Sequence, residues 1–169
     1  MNSDEIKQYL GELNDELRTI DVKGELCLYG GAVMCLAFNA RPATKDIDAV
    51  FEPVRHIRGA AGRIAERHGL PKDWLNHAVK MFLAPHDKRM LFDMSHLKVF
   101  MPPPKYLLAM KVLAARANTM DRNDIEFLIA RLNLREADQV LEIVRHYYPH
   151  KQVKPATQAV IEELLGQGQ

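Results

Sequence analysis

Apolar side chains recur at Ile6, Leu10, Leu13, Leu17 and Ile20, the spacing of one buried helical face, and Asn2 with Glu5 forms a capping box ahead of them. A first helix is therefore expected over residues 3–20. The period then changes. Glu25-Leu26-Cys27-Leu28-Tyr29 is short and apolar and stops at Gly30-Gly31, as a buried strand does, and Ala32 to Asn39 reads as a short apolar helix. After the loop Arg41-Pro42-Ala43-Thr44-Lys45, a second strand is expected over Asp46–Phe51, closed by Glu52-Pro53.

Val54 to His68 reads as a basic helix ended by Gly69, and Asp73 to Phe82 as helical. Met90–Met94 and Leu97–Met101 read as paired strands around Ser95-His96, and Pro102-Pro103-Pro104 ends the strand region. Four helices are expected beyond it: Tyr106–Ala117, Arg122–Leu132, Ala137–Tyr147 and Thr157–Leu165. The expected fold is α/β (α+β), a small mixed sheet flanked by helices, in one domain over residues 1–169. Its α/β core would cover about 1–101 and its helical part about 102–169, since the later helices are too apolar to stand alone.

Length agrees with one domain able to bury a sizeable core without staples. Charge narrows the partners: 23 Lys and Arg against 22 Asp and Glu leave +1, so nucleic acid or membrane would have to be met by a local patch. No apolar run approaches a membrane span, and the acidic N-terminal residues do not resemble a secretory signal. Cys27 and Cys35 suit neither a zinc knuckle nor a redox pair and are expected as buried thiols. A cytoplasmic protein with no membrane partner is expected.

Two features carry chemistry. A strand ending in Gly30-Gly31 and opening a helix presents free N–H groups and lets an anion approach closely, which suits phosphate. The pair equally suits a plain tight turn. Asp46 and Asp48, two apart on a strand, place both carboxylates on one face about 6–7 Å apart, where a cation such as Mg2+ would join them. Two solvated acids at an exposed strand start are the alternative. Arg41 and Thr44 precede them, where a guanidinium can pair with phosphate and a hydroxyl can fix the loop, although ordinary loop chemistry accounts for both.

Taken together, Leu28-Tyr29-Gly30-Gly31-Ala32 through Arg41-Pro42-Ala43-Thr44-Lys45-Asp46-Ile47-Asp48 resembles the first motif of the polymerase-beta-like nucleotidyltransferase superfamily. The resemblance implies the nucleotidyltransferase fold and magnesium-dependent transfer of an NMP group from an NTP. By that likeness Gly30 and Gly31 would contact the triphosphate and Asp46 and Asp48 would hold magnesium as catalytic residues, while Arg41 and Thr44 are nucleotide-binding candidates by their place in the loop. Further on, Pro104-Lys105-Tyr106-Leu107-Leu108-Ala109-Met110-Lys111 and Asp121-Arg122-Asn123-Asp124-Ile125 are similar to the helical motifs of the abortive-infection toxin nucleotidyltransferases. That likeness implies catalytic roles for Lys111 and Asp124, and it covers residues 26–132.

Many superfamily members carry a third metal carboxylate on a later strand, for which Asp93 is the candidate here. The implied acceptor is a hydroxyl on RNA, such as a tRNA end, or on protein, in a toxin–antitoxin or phage-defence setting with a cognate antitoxin as partner. A silent nucleotide-binding or protein-interaction module of the same fold is the alternative. Lys111 lies in a helix apolar on nearly every face, so it must snorkel or meet an anion such as Asp124, although Asp121 and Asp124 also suit first-turn acids of the next helix.

The histidines show no zinc spacing. Arg145-His146-Tyr147-Tyr148-Pro149-His150-Lys151 mixes cations and aromatics as an RNA contact does, but cations are favoured at any helix C-terminus. No nucleophile elbow, P-loop or dinucleotide fingerprint is present.

Overall fold

A computed structural model describes residues 1–115 and 119–166, the side chains of Thr119 and Met120 excepted. The chain is mixed α/β and falls into two compact units: residues 1–83 with 88–102, and residues 84–87 with 103–169.

The first unit is built on a five-stranded mixed sheet. Its strands are β1 (Gly24–Tyr29), β2 (Ile47–Glu52), β3 (Leu75–Asn76), β4 (Arg89–Asp93) and β5 (Leu97–Met101), in the order β3-β2-β1-β5-β4. β1 runs antiparallel to β2 and parallel to β5, and β4 with β5 forms an antiparallel hairpin. Alternation assigns the faces: Leu26 and Leu28 on β1 lie opposite Phe51 and Ala49 on β2, all buried. The other face carries Glu25, Cys27 and Tyr29 opposite Glu52, Val50 and Asp48.

Helix α1 (Ser3–Thr19) buries Ile6, Leu10, Leu13 and Leu17 at the expected period, and its capping box is formed, with Glu5 N–H donating to Asn2 and Asn2 N–H to Glu5. Helix α3 (Val54–His68) packs on it through Ile57, Ala60 and Ile64. At the rim, Arg63 and Arg67 of α3 reach Glu16 of α1 at 2.5 and 2.9 Å, and Arg67 also binds Glu12. Asn14, buried on α1, accepts from His96 N–H at 2.7 Å and so ties α1 to the β4–β5 turn. Cys27 and Cys35 are buried and in no disulfide among the described residues, and burial pushes the Cys27 thiol pKa up.

Two expectations change here. Residues 73–82 are not one helix: Trp74 donates its indole N–H to Ala61 O at 2.9 Å, Leu75–Asn76 pairs with β2 as β3, and only Ala78–Phe82 makes a 3-10 turn. The Asn76 carboxamide oxygen accepts from Ala78 N–H at 2.7 Å, a local turn that competes with helix. The second helix, α2, is Gly30–Leu36, so the glycines belong to it rather than precede it.

The second unit holds α4 (Pro104–Ala114), α5 (Thr119–Arg131), α6 (Ala137–Tyr147) and α7 (Pro155–Leu164). The expected extension of α4 to Ala117 runs into 116–118, outside the described residues. Tyr106, Leu107, Leu108 and Val112 of α4 share its core with Leu128, Val140, Val144 and Ile161. The Tyr106 hydroxyl accepts from Ala84 N–H at 2.9 Å and meets the Tyr148 hydroxyl at 2.6 Å. Burial, then the bond to Tyr106, drives the Tyr148 pKa upward. Among the described residues no helix is long and apolar enough to cross a membrane.

Candidate functional site

Five of the six residues singled out between positions 30 and 48 demonstrably converge. Gly30 leaves β1 with φ +60°, a left-handed backbone that favours glycine, and a Cβ there would lie 3.1 Å from Asp48 Oδ2. One residue on, a Cβ at Gly31 would sit 2.6 Å from Thr44 Oγ1 and 2.8 Å from Arg41 Nη1. The carboxylate, the hydroxyl and the guanidinium therefore crowd the space the two glycines leave open. Helix α2 is only two turns long, so close approach contributes more here than its dipole does.

Local pairing explains the arrangement. Tyr29, the last β1 residue, pairs with Asp48, so Gly30 turns away immediately beside that carboxylate. The loop between them is held by Met1, whose N–H groups donate to Thr44 O at 2.7 Å while Thr44 N–H donates to Met1 O at 2.8 Å. Thr44 also donates its hydroxyl to Asp46 O at 3.1 Å. This is why β2 begins at Ile47 and not, as expected, at Asp46: that carbonyl is taken by the loop. Asp46 nevertheless continues the alternation, half-buried like Asp48 and Val50, while Ile47, Ala49 and Phe51 are buried.

Asp93 is not part of this corner. It pairs with Lys98, which pairs with Glu25, and Glu25 is four residues before Tyr29 on β1. Asp93 is thus about 13 Å further along the strands than Asp48 and about 14 Å across three strand spacings. On the face that carries Asp48, β5 presents Lys98 and Phe100 rather than an acid. The expectation of Asp93 as a third metal carboxylate is corrected accordingly: a hairpin register sends it to the far corner. Among the described residues no three His, Cys, Asp or Glu side chains group to hold a metal ion. The pair Asp46 and Asp48 still fits magnesium's usual mode, one or two carboxylates completed by substrate phosphates.

In the second unit, Lys111 Nζ lies 2.8 Å from Asp124 and 3.6 Å from Asp121, and the side chains are 17%, 2% and 9% exposed. Lysine therefore meets both acids, and Asp121 is also a first-turn acid of α5. In the Arg145–Lys151 segment, Arg145 and His146 occupy the last turn of α6, and His146 packs against Tyr147 at 4.8 Å.

One neighbour was not foreseen. Asn76 pairs beside Asp48 through the parallel β2–β3 bridge, and a two-residue strand has no hydrophobic period by which sequence could reveal it.

Compared with family models, with curated proteins and with solved structures, the chain shows no significant match.

Proposed function

We propose that the corner formed by Gly30, Gly31, Arg41, Thr44, Asp46 and Asp48 binds magnesium-NTP, and that the chain transfers an NMP group from it to a hydroxyl on RNA or protein. The observation that carries this reading is the convergence of Asp48 Oδ2, Thr44 Oγ1 and Arg41 Nη1 on positions where only glycine leaves room. Backbone and side-chain donors around two half-buried carboxylates suit a triphosphate with its cation.

In this reading Asp46 and Asp48 hold the magnesium ion, which when bound neutralises phosphate charge and supports attack on the α-phosphorus. The Gly30 and Gly31 amides and Arg41 hold the phosphate oxygens, and Thr44 holds the Asp46 backbone in place. The acceptor oxygen forms a bond to the α-phosphorus, the bond to pyrophosphate breaks, and the hydroxyl proton passes to solvent. A toxin–antitoxin or phage-defence setting with a cognate antitoxin belongs to this proposal.

The place of Asp93 favours a second reading, nucleotide binding without turnover, because among the described residues it does not join Asp46 and Asp48. The two readings separate in one assay. Incubation with magnesium and each α-labelled NTP, with total RNA and lysate protein, labels an acceptor under the first reading. Saturable NTP binding with no labelled acceptor selects the second.

A further inference from the structure

A cavity of about 830 Å³ lies where α3, β3 and the 3-10 turn meet, and Asn76, which pairs with Asp48, is part of its lining. Its apolar wall includes Leu75, which pairs with Ile47, and Phe51, both belonging to the sheet face opposite that of Asp48. Met81 borders it with 83% of its surface exposed. The size falls in the range of pockets that enclose small organic ligands, several times what a bare phosphate ion needs.

Its charge is one-sided. Arg58 of α3, Lys72 and Lys80 line it against one acid, Asp73, and none of the three cations has an ion-pair partner among the described residues. Between them the His77 ring lies tilted against Phe51, ring centroids 4.5 Å apart, and its buried Nε2 has no hydrogen-bond partner among the described residues. Burial, then Lys80 and Arg58, lowers the His77 pKa, which places both cations within electrostatic reach of the ring.

A buried ring nitrogen without a partner is costly, and like charges around an apolar hollow repel. One kind of ligand relieves both: an anion for the cations, joined to a flat, partly polar group for the apolar wall and for His77. We infer that this cavity binds a nucleoside phosphate, with phosphate among Arg58, Lys72 and Lys80 and the base against Leu75 and Met81, hydrogen-bonded by His77 Nε2. A free mononucleotide and the phosphorylated end of a strand share this chemistry. The inference stands without the magnesium-NTP reading, although Asn76 of the lining pairs with Asp48.

The test is calorimetric titration of the full chain in EDTA at fixed ionic strength, with AMP, inorganic phosphate and a 5′-phosphorylated tetraribonucleotide. Trp74, the only tryptophan, donates to the wall residue Ala61 and gives a second signal by fluorescence. AMP is expected to bind more tightly than phosphate. Arg58→Ala with Lys80→Ala, both exposed positions, should weaken AMP at least about tenfold with the melting temperature kept. His77→Phe, which retains a ring against Phe51, should also weaken it. Asp48→Asn should leave it unchanged, which separates this site from the proposed transfer site. A tetranucleotide that outbinds AMP assigns a strand end, and equal binding a mononucleotide. AMP binding no tighter than phosphate, or unaffected by the double substitution, overturns the inference.

Discussion

At Gly30 a φ of +60° and a carboxylate oxygen 3.1 Å from the missing Cβ leave little room for any other residue. Gly30→Ala therefore costs on the order of 1 kcal/mol in backbone strain and pushes Asp48 from its place. Magnesium-NTP affinity should fall by more than stability does, measured by titration beside thermal melting; a loss of stability alone would make the glycine a turn residue only. Because Lys111 pairs with two buried acids at once, Lys111→Met removes one ion pair from each of Asp121 and Asp124 and should lower stability. Chemical denaturation checks this, and an unchanged midpoint would mean that the carboxylates are held by other partners. That Lys111 meets an anion was legible from its isolation among apolar neighbours. That both acids share it was not, because sequence does not show how α4 faces α5.

Among the elements, α1 and α3 display the most in sequence. Each has an unbroken apolar period, a start signal or a glycine stop, and the expected boundaries match to within a residue. Their rim is electrostatic. Bonds from Arg63, then Arg67, hold the Glu16 carboxyl below the ordinary glutamate value, against the opposing effect of burial. A depressed carboxylate pKa stabilises the fold above the unfolded-state value of 4.5, and this contribution is lost as pH falls through the folded value. Glu16→Gln should therefore lower the melting temperature at pH 7, and the difference from the parent should close in acid. A difference that persists at pH 2 would assign it to packing. The segment 73–82 departs from its helix-compatible pattern for the opposite reason: burial of Trp74 against α3 and pairing of Leu75–Asn76 with β2 override local preference.

For the whole molecule, the sheet decides which sequence-distant residues share a place. The motif residues 30–48 are local, separated by one short helix and one loop, so their meeting was legible from spacing. Asp93 reaches the sheet through a hairpin whose register no periodicity reveals, and the strands carry it to the far corner. The cavity beside β3 was hidden too, because Arg58, Lys72, His77 and Lys80 come from three short segments with no common spacing. The central claim is that Asp46 and Asp48, with the glycine turn, form the magnesium-NTP corner. It is tested most directly by calorimetric titration of NTP with and without magnesium into the parent chain and into Asp46→Asn with Asp48→Asn. Magnesium-dependent binding in the parent and its loss in a variant that still melts cooperatively is the predicted result; equal NTP affinity in the two proteins in the presence of magnesium would contradict it.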